Sequence, residues 1–210
     1  MGDYIAIPND CMRYANAPIE RALVAVESSA NPFAIGVVGG RLERQPRNKA
    51  EAVQTALSLK AQGFNYSMGC RQVNQANLGK YGLDHESVFD PRKNALAGTA
   101  IYDECNQRAV VKFGNSMAAT RAALSCYYSG NFNRGQQKEG NQPSYVDKVI
   151  ANLTPEARKE LPLAIPVVAK GGKAPKPKPV PKTENLAGPV KEEAKPEAAK
   201  VATWDVFQEF

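Results

Sequence analysis

The chain is poor in the features that mark a membrane, metal or nucleic-acid protein. No apolar run in its 210 residues approaches the ~18–20 that a bilayer span requires, so membrane insertion is not expected. No charged segment followed by an apolar one opens the chain. Met1-Gly2 ahead of Asp3-Tyr4-Ile5 reads instead as an expression scar on a mature chain whose leader was removed. The four cysteines, Cys11, Cys70, Cys105 and Cys126, lack metal-ligand spacing, and neither a metal nor a cofactor is expected. They allow three full pairings, or none at all as small buried hydrophobes, and spacing does not choose. A dense Lys/Arg block is missing too. The formal charge of +6 is diffuse, with 17 basic against 13 acidic residues up to Leu153 and 10 against 8 beyond it. Such an excess favours an anionic partner in general but argues against nucleic acid.

What is present is helical periodicity. Ile19, Ala22, Leu23 and Val26 follow the i, i+3, i+4, i+7 stripe of a core-facing helix over residues 18–29, begun by Pro18 and stopped by Asn31-Pro32. A second helix is expected over 49–62, capped by Asn48 with Glu51 three residues on and closed by Gly63. Between them, 36–48 reads as an irregular loop or small hairpin whose arginines are exposed. After an irregular stretch, a short helix is expected near 74–81, with His85 in a solvated loop beyond it. Asp90-Pro91 supply the cap and first-turn proline of a long helix to about residue 108, and two more follow near 116–125 and 144–153. No run of alternating strand residues appears, so the fold reads as mainly α with a small irregular lobe. From Thr154 the composition turns to Pro, Lys, Ala and Glu, which cannot bury enough apolar surface to offset ordering entropy. Residues 1–153 are therefore read as the folded domain. Residues 154–210 are read as a disordered tail, extended where Pro and Lys alternate at 176–181 and tipped by a candidate docking peptide at 203–210.

Glu27 lies four residues beyond Leu23 and eight beyond Ile19, at the border of the apolar stripe of the first helix. A carboxyl there is partly desolvated, which disfavours its charged form and suits a general acid. The residues around it sharpen this reading. Glu27-Ser28-Ser29-Ala30-Asn31-Pro32 resembles the E-S-x-x-N-P signature of soluble-lytic-transglycosylase-like domains of the lysozyme superfamily. Ser67-Met68-Gly69-Cys70-Arg71-Gln72-Val73-Asn74 resembles their G-L-M-Q motif, Asn94-Ala95-Leu96-Ala97-Gly98 their third, and Ala123-Leu124-Ser125-Cys126-Tyr127-Tyr128-Ser129-Gly130-Asn131 their A-Y-N-A-G motif. Further similarity, in Asn31-Pro32-Phe33-Ala34-Ile35-Gly36-Val37, in Gln72-Val73-Asn74, in Ser125-Cys126-Tyr127-Tyr128-Ser129-Gly130-Asn131-Phe132 and in the Pro-rich tail, points to the branch that accompanies type IV secretion and conjugation machines.

The resemblance implies an α+β lysozyme-like fold. It also implies a periplasmic enzyme that cleaves the β-1,4 bond between N-acetylmuramic acid and N-acetylglucosamine in peptidoglycan, leaving 1,6-anhydro ends and opening the wall for a secretion channel. Glu27 would be the catalytic acid and base and Tyr127 would orient it. Gln72, Tyr128, Ser28 and Asn74 would contact or shape the sugar site, and secretion components would meet the tail. Two departures stand out: Cys70-Arg71 occupies the usual Leu-Met position, and Tyr128 a place where Asn is common. Two-acid glycosidases need a second carboxylate, and none falls within the four motifs; this favours a transglycosylase over a goose-type hydrolytic lysozyme. A wall-binding scaffold without activity is the remaining alternative.

Overall fold

The computed structural model describes residues 10–138 and 140–160, with side chains up to Ala157. Its helices are α1 (Asp10–Arg13), α2 (Pro18–Ser28), α3 (Lys49–Ala61), α4 (Pro91–Phe113), α5 (Met117–Ser129), α6 (Tyr145–Ala151) and α7 (Pro155–Glu160). Side chains start most of them as the sequence predicts. Asn48, Asp90, Ser116 and Ser144 each accept the backbone N–H three residues ahead, satisfying one of the orphan donors of a helix start. α2 lacks a capping side chain at Ala17, and Glu20 reaches back to accept the N–H groups of Asn16 and Ala17 at 2.8 and 2.9 Å. None of the described helices is long and apolar enough to cross a membrane.

The small lobe holds a three-stranded antiparallel sheet of β1 (Ile35–Val37), β2 (Tyr66–Met68) and β3 (Val73–Asn74), in that order. Strands of two or three residues carry no alternation to detect. The region expected as loop or hairpin is thus β1 and the irregular turn after it. The helix expected near 74–81 is two short 3₁₀ turns, Gln75–Asn77 and Gly79–Tyr81. α4 and α5 each run past their expected ends, to Phe113 and Ser129, because Gly114 and Gly130 rather than earlier residues supply the terminating turns. The domain also continues past Leu153: the Thr154 hydroxyl caps α7, and Ala157 packs beside Leu153. The rest of the expected tail, docking peptide included, lies outside the described residues, as does the N-terminal dipeptide.

Two apolar clusters flank the site. One joins the sheet to α3 and the first half of α4, packing Ile35, Tyr66 and Met68 with Ala56, Leu59, Phe89 and Ala97. The other joins α2 to α5 and α6 through Leu23, Leu124, Tyr145, Val146 and Val149. Two disulfides resolve the pairing that spacing left open, Cys11–Cys70 tying α1 to the β2–β3 turn and Cys105–Cys126 tying α4 to α5. His85, expected in solvent, is half-buried and pairs through Nε2 with the hydroxyl of buried Tyr66 at 2.8 Å.

Candidate active site

A groove opens between the two clusters in two lobes that share Glu27, Gln72 and Tyr128. The larger lobe encloses about 910 Å³ and is lined with amides, among them Asn31, Gln45, Gln142 and Asn152. The smaller encloses about 210 Å³ and carries charge at Lys80, Glu104 and Arg108. Glu27 therefore sits where the lobes meet, and a chain of sugars lying along the groove would pass over it.

Glu27 is more deeply buried than its place on the stripe suggested, with 6% of its surface exposed. Burial pushes its carboxyl up to about 8, against two weaker opposing influences: a hydrogen bond from the Tyr145 hydroxyl and the positive charge of Arg71. Tyr145 stacks on Tyr128 with ring centroids 4.5 Å apart, which holds the hydroxyl in place. The expected bond from Tyr127 to Glu27 is not formed; Tyr127 donates to the Arg71 carbonyl at 2.7 Å. It lines the smaller lobe beside Glu27 but braces the β2–β3 turn. Tyr145 was overlooked because it lies 118 residues from Glu27, beyond the last motif. A signal existed, since its position on the apolar face of α6 requires a partner for the hydroxyl.

The other expected residues divide into two kinds. Gln72 reaches the groove with a left-handed backbone (φ 46°), and its amide nitrogen donates to Ala34 O and Gly69 O at 3.0 and 2.9 Å. Both partners are acceptors, so the amide nitrogen is fixed inward and the carbonyl oxygen is left to accept from a ligand. Tyr128 borders both lobes, and Ser28 borders the larger one while donating to Cys70 O at 2.9 Å. Asn74 lines the smaller lobe and shapes it from behind: it is 0% exposed, donates to Asn65 and Ser67, and accepts from Ala76 N–H, so it braces the wall.

Arg71 was read only as a departure from the family pattern. It is 1% exposed, and its guanidinium bonds the Glu20 carboxylate, the Glu20 carbonyl and the Thr99 hydroxyl at 3.0–3.1 Å. Gly98 explains how it fits, because a Cβ there would stand 2.5 Å from that of Arg71. Asn94 locks the same turn, accepting from Arg71 N–H at 2.7 Å and donating to Met68 O and Val88 O. A second carboxylate among the described lining residues, Glu104, is held below its ordinary range chiefly by a bond from Lys80, and also receives the Tyr81 hydroxyl.

Curated relatives include proteins named type IV secretion system protein virB1 from Brucella abortus (strain 2308), Brucella melitensis biotype 1 and Brucella suis biovar 1. Each is 47% identical over 153 residues, covering 72% of this chain and 64% of the relative. The chain thus spans under two thirds of the length of these relatives. No solved structure matches it. Residues 6–149 match the family described as Transglycosylase SLT domain, and the chain belongs to that family.

Proposed function

We propose that the protein is a lytic transglycosylase that cleaves the β-1,4 bond of peptidoglycan between N-acetylmuramic acid and N-acetylglucosamine. The observation that carries the reading is Glu27, a carboxyl buried where the two lobes meet and neutral up to about pH 8. At pH 7 it is therefore mostly protonated. It gives its proton to the glycosidic oxygen as the bond to the anomeric carbon breaks. The carboxylate so formed accepts the Tyr145 hydroxyl and feels the charge of Arg71, which makes the ionised state tolerable for the interval. It then takes the proton of the muramoyl 6-hydroxyl as that oxygen attacks the anomeric carbon. A 1,6-anhydro end forms, no water is consumed, and Glu27 returns to its starting state.

A single free acid supports this over two-acid hydrolysis. Among the described residues that line the two lobes, the only other carboxylate is Glu104, whose oxygens are taken by Lys80 and Tyr81. The Brucella relatives are named as type IV secretion system proteins, and the role we propose that fits such a system is a periplasmic enzyme that opens the wall locally for the channel, whose components are its partners. The test is mass analysis of muropeptides released from purified sacculi. Wild type should yield products lighter by one water than hydrolytic ones, and Glu27→Gln should lose at least about 10³-fold in rate. Reducing ends would turn the assignment to a goose-type lysozyme. A wild type that releases nothing would leave a wall-binding scaffold.

A further inference from the structure

The two disulfides sit in different surroundings. Cys11–Cys70 lies inside a cluster with Ala15 and Val24, flanked by Met12 and Ala30, and both of its cysteines are 0% exposed. Cys105–Cys126 forms part of the wall of the smaller lobe, with 6% of Cys105 and 3% of Cys126 exposed. Thiol–disulfide exchange requires a thiolate to reach one sulfur, so access decides which bond reacts in the folded protein. Charge acts in the same direction. Among the described residues lining that lobe, Lys80 and Arg108 are cationic, Glu104 is anionic and Glu27 is neutral up to about pH 8. The positive excess draws in a thiolate and eases the departure of another.

The same bond joins two parts of the groove's machinery. Cys105 follows Glu104 on α4, and Cys126 precedes Tyr127 and Tyr128 on α5. Tyr128 carries the ring on which Tyr145 stacks to reach Glu27. Two thiols cannot share the space of a bond, so reduction parts the sulfurs to van der Waals contact and shifts α5 against α4 at this point. The helices stay packed through Ala109, Ala119, Ala122 and Ala123, and Ser125 keeps its bonds to Asn131 O and Gly135 N–H. The change is local to the groove.

We propose that Cys105–Cys126 is a reactive disulfide in the groove wall, open to a small dithiol in the folded protein, and that its reduction lowers activity reversibly. The dithiol attacks one sulfur as a thiolate, forms a mixed disulfide and then closes on itself. Two electrons pass to the cystine, leaving two protein thiols and a cyclic disulfide, with the reagent's two thiol protons ending on the protein. The lobe encloses about 210 Å³, which suits a small reagent rather than a folded protein. The reactive site is independent of the transglycosylase reading; its effect on activity rests on that reading.

The test treats the oxidised full chain with millimolar dithiothreitol at neutral pH without denaturant, blocks new thiols with iodoacetamide and locates them by peptide mass mapping. Cys105 and Cys126 should be alkylated while Cys11 and Cys70 remain paired, and circular dichroism should show the fold retained. Before blocking, the rate on purified sacculi should fall about tenfold, less than the ~10²-fold that a 1 Å misplacement can cost, and should return on reoxidation. Cys105→Ser with Cys126→Ser should show the lowered rate without reagent and no further loss with it. Alkylation of Cys11 and Cys70 first, of all four together or of none would overturn the proposed site. A labelled Cys105–Cys126 pair with an unchanged rate, or a double variant as active as wild type, would overturn its link to activity. An untreated wild type without activity on sacculi, but with the expected labelling, would count against the transglycosylase reading and leave the reactive disulfide standing.

Discussion

The two ends of α2 carry the same side chain in opposite states. Glu20 and Glu27 stand seven residues apart, and burial pushes both carboxyls upward. At Glu20 that push is outweighed by the N–H of Ala17, the Thr99 hydroxyl, the Arg71 guanidinium and the N–H of Asn16, so its carboxyl lies below the ordinary value. At Glu27 the opposing groups are one tyrosine hydroxyl and the more remote charge of Arg71, so burial wins. Desolvation is common to both; the number of donors decides which glutamate is structural and which can give up a proton. Arg71 belongs to both environments, as a direct partner of one and a distant influence on the other.

Removing that shared residue should break the comparison most severely. Arg71→Met, which restores the residue usual in the family motif, strands Glu20 without its cation and should cost about 3–5 kcal/mol in urea unfolding. Adding Glu20→Gln should recover part of this, because the buried charge goes with its partner. If the double variant is no more stable than Arg71→Met alone, the ion pair is not what anchors the turn.

A smaller effect separates the two ends by pH. The folded Glu27 titrates near 8 and the unfolded one near 4.5. Between those values only the unfolded chain gives up the proton, so wild-type stability falls as pH rises through the window and levels off above it. Glu27→Gln does not titrate there. Its stability relative to wild type should grow by about 1 kcal/mol per pH unit from pH 5 to pH 8. Glu20 works in the opposite sense, contributing stability above its unfolded value that is lost in acid. A flat difference across pH 5–8 would place the Glu27 carboxyl in water.

Much of this was legible beforehand because it is local. Asn48, Asp90 and Ser144 mark helix starts through bonds only three residues long, and Glu27 declares itself by its place on a stripe and in a motif. What escaped was long-range. Arg71 needs a carboxylate 51 residues away, and Tyr145 an acceptor 118 residues away; neither spacing leaves a period in the sequence. Tyr127 was assigned the bond that Tyr145 makes because it is the tyrosine inside a motif. Glu104 follows the helical spacing of Leu96, Ala97, Ala100 and Ile101, and that spacing alone does not say that its carboxylate faces the groove.

The last way to sharpen the comparison removes the one hydroxyl at Glu27. Tyr145→Phe keeps the ring stacked on Tyr128 and takes away only the donor. Two consequences follow, with different signatures. The carboxylate formed midway through the reaction loses its partner, so kcat should fall about tenfold, within the ordinary value of a hydrogen bond to a charged group. The neutral acid is favoured further, so the alkaline limb of the rate profile, expected near pH 8 in wild type, should move upward. A purely structural role for Tyr145 predicts the loss of rate without that displacement. Tyr127→Phe, which cuts the bond to the Arg71 carbonyl instead, should lower activity and leave the alkaline limb where it is. If the two variants exchanged these signatures, the acid would be oriented by the tyrosine of the fourth motif after all, and the donor count that distinguishes Glu27 from Glu20 would have to be redrawn.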